Sequence, residues 1–322
     1  MGPMSHPDQP ESRPPVIAVV GATATGKSDL AIALAQRLDG EVVNADASQL
    51  YRGMDIGTAK VPVAERHVPH HQLDVMDIHE EANVAAYQQD SRVDIADIQQ
   101  RGRRPVLVGG SGLYVRAALD VLDIPPTDPT VRARWEAELE ARGAYALYEE
   151  LTRLDPVAAA RMLPANGRRT VRALEVIELT GRPFSSSMPR REFLQPSVMI
   201  GLTAPRDELD QRITDRVERM WADGLLDEVR ALEQRGLREG RTASRAIGYA
   251  QVLGQLDGEL DEAQAKEATA AATRRLVRRQ ESWFRPDPRI VWLPYDAPDL
   301  VDRALSVVTT GEGPGLSATM AP

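Results

Sequence analysis

The sequence contains no cysteine among its 322 residues. Disulfide frameworks, thiolate metal sites and cysteine nucleophiles are therefore excluded. It also lacks an apolar run long enough to cross a bilayer, and no secretory signal is recognisable near its start. Its hydrophobic content of 42% and charged content of 27% are typical of a folded, water-soluble chain. We expect a cytoplasmic protein with no membrane partner.

Acidic residues outnumber basic ones, 48 to 39, but the basic residues are locally concentrated. The formal net charge is −9, which argues weakly against a protein that coats nucleic acid, although a total says nothing about distribution. Residues 168–172 are basic, and residues 273–285 hold five arginines against one acidic residue. These stretches predict positive patches for nucleic acid. The alternative is helix faces that pair with acidic residues of the same protein.

Residues 21–28 fit the pattern G-x-x-x-x-G-K-[ST] of a phosphate-binding loop. A buried strand is predicted before the loop, at 16–20, and a helix after it, at 29–38. This arrangement directs backbone N–H groups and the positive end of a helix dipole at an anion. We therefore predict that a phosphorylated ligand binds to Gly21, Ala22, Thr23, Ala24, Thr25, Gly26, Lys27 and Ser28.

Asp46 ends a second short strand, predicted at 41–46. Because the carboxyl ends of parallel strands line the ligand crevice of an open sheet, Asp46 should lie beside the loop. It could act there as a general base or a metal-shell carboxylate, or it could simply cap a turn.

The strand predicted at 104–108 ends in Gly109 and Gly110, not in the magnesium-binding carboxylate expected of a motor-type ATPase. Paired glycines at this point predict a close approach of backbone to ligand.

The predicted fold is α/β, with a P-loop parallel-sheet core, helices on both faces and an inserted all-helical domain. The core comprises residues 16–124 and 197–309, and a short further strand is predicted at 73–75. The insertion comprises residues 125–196, where the strand pattern gives way to helices broken by proline and glycine. Residues 1–15 and 310–322 are predicted to be disordered tails.

Arg212, Arg216 and Arg219 lie at helical spacings of four and three, so they share one helix face. The planar guanidinium group is suited to holding a polyphosphate leaving group. The alternative is a solvated face that pairs with Asp215 and Glu218.

Several segments, taken together, resemble one enzyme family. They are the loop at 21–28, residues 44–60 and residues 108–114, followed by 172–176, 247–249 and 279–285. In this order they resemble the tRNA dimethylallyltransferases (tRNA isopentenyltransferases) of bacterial type, over roughly residues 16–295. The run at 51–60 is close to diagnostic. Ala22, Ala47, Ser111 and Ala250 differ from the residues usual in the family.

The resemblance implies a transferase that moves the dimethylallyl group of dimethylallyl diphosphate to tRNA. The acceptor is the exocyclic amine of the adenosine 3′-adjacent to the anticodon, and diphosphate leaves without hydrolysis of ATP. By position, Asp46 is the general base, Arg216 the clamp on the departing diphosphate and Lys27 a ligand of its phosphates. Ser28 would hold Mg²⁺, the implied cofactor.

The resemblance also implies a surface for the anticodon stem-loop of tRNA, with the insertion gripping the RNA and the target base flipped into a pocket. The protein is expected to act as a monomer. The implied tRNA-binding residues are Asp46, Ala47, Ser48, Gln49, Ser111, Arg168, Arg169, Arg172, Arg274, Arg275 and Arg278.

Two other functions fit the loop. A small-molecule kinase of the nucleoside-monophosphate type would use it with ATP and would consume ATP when a small acceptor is present. A non-catalytic RNA-binding protein would use it as a nucleotide switch. A transferase should instead leave ATP untouched and release diphosphate only when tRNA is present.

Overall fold

The structure is a computed structural model that describes residues 13–187 and 190–310. Most of the two predicted tails, residues 1–12 and 311–322, therefore lies outside the described residues. Next to the first of these, the carbonyl of Pro14 accepts a hydrogen bond of 2.7 Å from the Gln99 side chain. Residue 310 ends the last helix.

A six-stranded sheet in which all neighbouring strands are parallel forms the core of the larger part of the chain. The strands are β1 (Val16–Gly21), β2 (Gly40–Asn44), β3 (His70–His71), β4 (Arg104–Gly109), β5 (Ser197–Thr203) and β6 (Ile290–Pro294). Their order is β3-β2-β4-β1-β5-β6. The long strands are continuous apolar runs, as expected where both faces of a parallel sheet are covered. The predicted α/β parallel-sheet core is confirmed.

The described residues also form helices. They are α1 (Lys27–Arg37), α2 (Val84–Gln100), α3 (Gly112–Leu119), α4 (Pro129–Leu154), α5 (Pro156–Ala159), α6 (Gly167–Thr180), α7 (Arg206–Ala222), α8 (Leu225–Glu233), α9 (Tyr249–Leu256), α10 (Glu262–Phe284) and α11 (Leu300–Thr310). Alternate strand residues such as Ile17 and Val19 pack against Leu34 of α1 and Val307 of α11, because side chains alternate across a strand. Within the described ranges, no helix is long and apolar enough to cross a membrane.

The chain divides into two compact units. One contains the sheet and comprises the described residues up to 119 and from 193 onward. The other comprises residues 120–192 and contains α4, α5 and α6. Its own apolar core includes Leu147, Leu151, Val171 and Leu174. Each unit therefore buries a hydrophobic cluster of its own.

The strand predicted at 73–75 is wrong. The strand next to β2 is the two-residue β3, and the residues that follow it leave the extended conformation. Gln72 and Asp74 both have φ of 57°, in the left-handed region, which ends the strand. The carboxylate of Asp74 accepts a hydrogen bond of 2.5 Å from Lys60. The backbone of this segment pairs with residues 49–52 instead: the N–H of Asp74 donates to the Gln49 carbonyl at 3.3 Å, and Met76 forms an isolated parallel bridge with Tyr51.

Candidate active site

The phosphate-binding loop joins β1 to α1, as predicted. Gly26 precedes α1 with φ of 84°, a conformation that glycine adopts without steric cost. The carbonyl of Ala22 accepts two hydrogen bonds, of 2.8 Å from the Thr25 hydroxyl and 2.7 Å from Lys27 Nζ. Through these bonds the Thr25 and Lys27 side chains fold back onto the start of the loop, and the Lys27 ammonium group is held against it. The free N–H groups at the start of α1 make this a natural anion site.

Lys27 lies where the positive charge of its side chain is disfavoured. Burial, together with the positive charge of Arg216, lowers its pKa to about 8, while Asp46 acts in the opposite direction. Burial also lowers the pKa of Arg216, which the Asp46 charge partly offsets. Lys27 and Arg216 are both partly withdrawn from water, and Asp46 supplies only one negative charge against their two positive charges. The site therefore has an excess of positive charge. An anionic ligand would relieve that excess.

Two of the three arginines that share a face of α7 contact the loop. Arg216 donates a hydrogen bond of 3.2 Å to the Thr23 hydroxyl, and Arg212 donates one of 2.7 Å to the Ala24 carbonyl. Arg219 donates to a backbone carbonyl of its own helix. The predicted alternative, a face paired with Asp215 and Glu218, is absent from the described residues, since Glu218 pairs with a lysine of α10.

Asp46 lies just beyond the end of β2, and its backbone is tightly held. Its N–H donates to Asn44 Oδ1 at 3.1 Å, and its carbonyl accepts from Asn44 Nδ2 at 3.0 Å. One carboxylate oxygen accepts from the N–H of Ser48 at 3.0 Å and begins a short 3₁₀ turn, Ala47–Leu50. Asp46 is thus a turn-capping residue, and its carboxylate also lies close enough to act on the charges of Lys27 and Arg216.

These groups border one cavity of about 890 Å³. Its walls are the loop, the ends of β2 and β4, the segment at 55–66 and α7. The predicted site residues that line it are Thr23, Ala24, Gly26, Lys27, Ser28, Asp46, Gln49 and Arg216. The cavity therefore joins the phosphate-binding loop to Asp46, two elements that the sequence placed at neighbouring strand ends.

The other predicted residues do not line the cavity. Ala22 and Thr25 are buried residues of the loop itself, and the hydrogen bond between them supports its shape. Gly21, Ala47, Ser48 and Ser111 are not part of the cavity wall.

Gly109, the last residue of β4, and the following Gly110 both border the cavity. A Cβ atom at Gly109 would lie 2.2 Å from the carbonyl oxygen of Ala45, and one at Gly110 would lie 2.2 Å from Gln280 Nε2. The backbone of Ala45 therefore already requires glycine at 109, whereas the atom met at 110 is the end of a side chain that can shift. At Gly109 the predicted close approach of a ligand is not needed to explain the glycine.

The arginines predicted to bind tRNA fall into two groups. Arg172 donates to two backbone carbonyls, those of Pro125 and Pro126, and pairs with Glu175. Arg274 donates to Glu267 and to the Thr214 hydroxyl. Both guanidinium groups thus have partners inside the protein.

The second group is free. Arg168 and Arg169 are exposed on α6, and Arg275 and Arg278 are exposed on α10. The guanidinium groups of these four have no hydrogen-bond or ion-pair partner within residues 13–187 and 190–310. They are the arginines available to an external polyanion.

Gln280 is a site residue that sequence reasoning missed. It lies on α10, only 5% exposed, and its Oε1 accepts a hydrogen bond of 2.9 Å from the backbone N–H of Thr23. It therefore fixes the middle of the phosphate-binding loop from the opposite end of the chain. The segment at 279–285 belongs to the family resemblance, but nothing in its sequence indicates a contact with the phosphate-binding loop.

A sequence model of the IPP transferase family matches residues 49–287. The chain belongs to the IPP transferase family. It is 64% identical to a tRNA dimethylallyltransferase of Thermobifida fusca, over 91% of this chain and 94% of that protein. It is 61% identical to a tRNA dimethylallyltransferase of Kineococcus radiotolerans, over 91% of this chain and 95% of that protein. The resemblance inferred from the sequence segments is confirmed.

Solved structures of IPP transferase type share the fold. A tRNA isopentenylpyrophosphate transferase from Bacillus halodurans superposes with a TM-score of 0.66 at 39% identity, covering 92% of this chain and 95% of that one. A eukaryotic dimethylallyltransferase acting on tRNA superposes with a TM-score of 0.78 at 27% identity, covering 94% of this chain and 81% of that one.

Proposed function

We propose that this IPP transferase moves the dimethylallyl group of dimethylallyl diphosphate to the exocyclic amine of the adenosine 3′-adjacent to the anticodon in tRNA. Diphosphate is the second product. The relatives named above support this assignment. The observation that carries it is the shared cavity, in which the carboxylate of Asp46 lies with Lys27 and Arg216 above one phosphate-binding loop. A proton acceptor and an anion-binding group in one cavity are what the transfer requires.

The diphosphate would bind between the loop and α7. The N–H groups at the start of α1, the ammonium group of Lys27 and the guanidinium group of Arg216 all supply positive charge there. Arg216 already donates to the Thr23 hydroxyl at 3.2 Å, so its fork is positioned before the ligand arrives. Preorganised cations at the point where charge develops are the largest usual contribution to catalysis.

The transfer forms one bond and breaks one. The adenosine nitrogen attacks the first carbon of the dimethylallyl group, and the carbon–oxygen bond to diphosphate breaks with its electron pair left on oxygen. The nitrogen then loses a proton, which the carboxylate of Asp46 accepts. Because Asn44 holds the backbone of Asp46 at both its N–H and its carbonyl, the base can keep a constant position.

Ser28 suits Mg²⁺ by its chemistry. Its hydroxyl is a hard oxygen donor at the start of α1 and borders the cavity. Mg²⁺ in proteins often takes only one or two protein ligands and completes its shell with phosphate and water. Bound there, Mg²⁺ would neutralise part of the charge of the diphosphate.

Exposed arginines would hold the anticodon stem-loop. Arg275 and Arg278 on α10, and Arg168 and Arg169 on α6, are free for phosphate contacts. Arg172 and Arg274 would contribute less, because internal acceptors already occupy them. The enzyme would act as a monomer in the cytoplasm.

The test is transfer of label. Purified protein is incubated with radiolabelled dimethylallyl diphosphate, Mg²⁺ and unmodified tRNA, and label is expected in the RNA. The same tRNA with guanosine at the target position is the control and should stay unlabelled. Asp46→Asn should bind diphosphate normally but lower turnover by about 10²–10⁴-fold, the usual effect of losing a positioned base. Consumption of ATP without labelling of RNA would contradict the proposal.

A further inference from the structure

The loop at residues 54–59 forms one wall of the cavity and has no regular secondary structure. Asp55, Ile56, Thr58 and Ala59 border the cavity directly. Gln49, a tRNA-binding residue by the family resemblance, donates from its Nε2 to the Thr58 carbonyl at 3.0 Å. The position of the Gln49 side chain therefore depends on the position of this loop.

Glu228, on α8, holds the outer side of the same loop. Its Oε2 accepts hydrogen bonds from the backbone N–H groups of Asp55 at 3.1 Å and Ile56 at 2.8 Å. Its Oε1 accepts from the N–H of Gly57 at 3.3 Å and from the Tyr249 hydroxyl at 2.5 Å. One carboxylate thus satisfies three consecutive backbone donors. Hydrogen bonds to an ionised acceptor are about twice as strong as neutral ones.

Tyr249 also contacts the loop at residues 54–59. Its ring is packed so closely on the loop that a Cβ atom at Gly57 would lie 2.5 Å from it. Burial, followed by the negative charge of Glu228, raises the pKa of the Tyr249 phenol. The phenol therefore stays protonated and continues to donate to Glu228. The loop is clamped between a charged acceptor and an aromatic face, both far along the chain from it.

We propose that Glu228 is a positioning residue for RNA recognition. It fixes residues 55–57 so that the Thr58 and Ala59 carbonyls hold the Gln49 amide in place at the cavity. This inference rests on the proposed function, because it assigns the RNA adenosine as the ligand of that wall. Glu228 itself does not border the cavity, so it acts through the loop and not on the reacting atoms.

Two variants separate this role from a general loss of structure. Glu228→Gln keeps the size of the side chain but replaces one acceptor oxygen by a donor. Glu228→Asp keeps the charge on a shorter side chain and should restore part of what Gln loses. Asp227→Asn is the matched control, because Asp227 is the preceding residue on α8, is exposed, and pairs only with Arg230 among the described residues.

The first measurement is hydrogen exchange of the amides of residues 55–57, which needs no substrate. Glu228→Gln should accelerate their exchange about tenfold or more, since the charged acceptor of three donors is lost. Asp227→Asn should leave these rates unchanged. Tyr249→Phe, which removes only one donor to Glu228 and keeps the ring, should change them by less than about threefold.

The second measurement is kinetic. Glu228→Gln should raise the KM for tRNA about 5–20-fold, with diphosphate affinity within about twofold of wild type, because the phosphate-binding loop keeps its own supports. The KM of Glu228→Asp for tRNA should lie between those of wild type and Glu228→Gln. Combined with Gln49→Ala, the Glu228→Gln effect on kcat/KM should largely disappear, because both changes disable the same contact.

The outcomes separate the two proposals. If wild-type protein transfers no label to tRNA, the proposed function fails and this inference fails with it. If wild-type protein is active but Glu228→Gln leaves the exchange of residues 55–57 unchanged, the clamp is refuted and the function stands. Multiplicative effects of Glu228→Gln and Gln49→Ala would equally overturn the positioning role.

Discussion

Diphosphate binding should weaken as the pH rises through about 8, because the charge of Lys27 is lost in that range. Burial and the neighbouring Arg216 lower the pKa of Lys27 to about 8 in the free protein. An ammonium group binds phosphate, whereas a neutral amine donates far more weakly. Binding is therefore at full strength below this pKa and is lost as the pH rises through it. The ligand, being anionic, pulls the pKa of Lys27 upward as it binds.

The size of the effect follows from the protonated fraction. With a pKa of about 8, Lys27 is about three-quarters charged near pH 7.5 and about 3% charged near pH 9.5. If binding requires the ammonium form, diphosphate affinity should fall about 25-fold between these pH values. For a lysine with its ordinary pKa of about 10.4, the same interval would change affinity only slightly.

Isothermal titration calorimetry with diphosphate at several pH values measures this directly. Lys27→Arg is the matched control, since arginine stays protonated throughout and any titration of the ligand itself is common to both proteins. Wild-type affinity should fall with pH, and Lys27→Arg affinity should stay comparatively flat. The reasoning is refuted if the two proteins show the same pH profile, because the loss would then belong to the ligand or to another group.

Three further results are expected. Arg216→Ala should lower the single-turnover rate more than it weakens diphosphate binding, because the charge on the bridging oxygen grows as the carbon–oxygen bond breaks. An unchanged rate would mean that Arg216 does not act in the chemical step. Gln280→Leu should weaken diphosphate binding several-fold without unfolding the protein, because it leaves the Thr23 N–H unpartnered; calorimetry with a thermal-melt control checks this, and normal affinity would show that the loop holds its own shape. Replacing Arg275 and Arg278 by Gln should flatten the log–log salt dependence of tRNA affinity by up to about one unit per lost contact and leave diphosphate binding intact, whereas an unchanged slope would place the RNA elsewhere.

Local sequence patterns were sufficient for much of the site. The phosphate-binding loop was predictable because a strand, a glycine loop and a helix are contiguous, and their backbone geometry follows from residue types over a few positions. Asp46 could be placed beside it because parallel strands end at a common edge. The shared face of Arg212, Arg216 and Arg219 followed from helical periodicity alone.

The supports of the site could not be predicted in this way. Gln280 bonds to Thr23 across 257 positions, and Glu228 bonds to Ile56 across 172. No periodicity links residues so far apart, and a glutamine or glutamate on a helix is ordinarily a solvent-facing residue. The wrong strand prediction at 73–75 has a similar origin, because Asp74 bonds to Lys60 through its carboxylate and to Gln49 through its backbone N–H.

The sequence by itself therefore determined the phosphate-binding loop, the parallel α/β core and the membership of the family, since each depends on short contiguous segments. Only the tertiary structure decided which arginines are free to meet RNA and which polar side chains hold the cavity in shape. The physical reason is that a hydrogen bond between distant segments exists only after α8 and α10 have packed beside the loops they support.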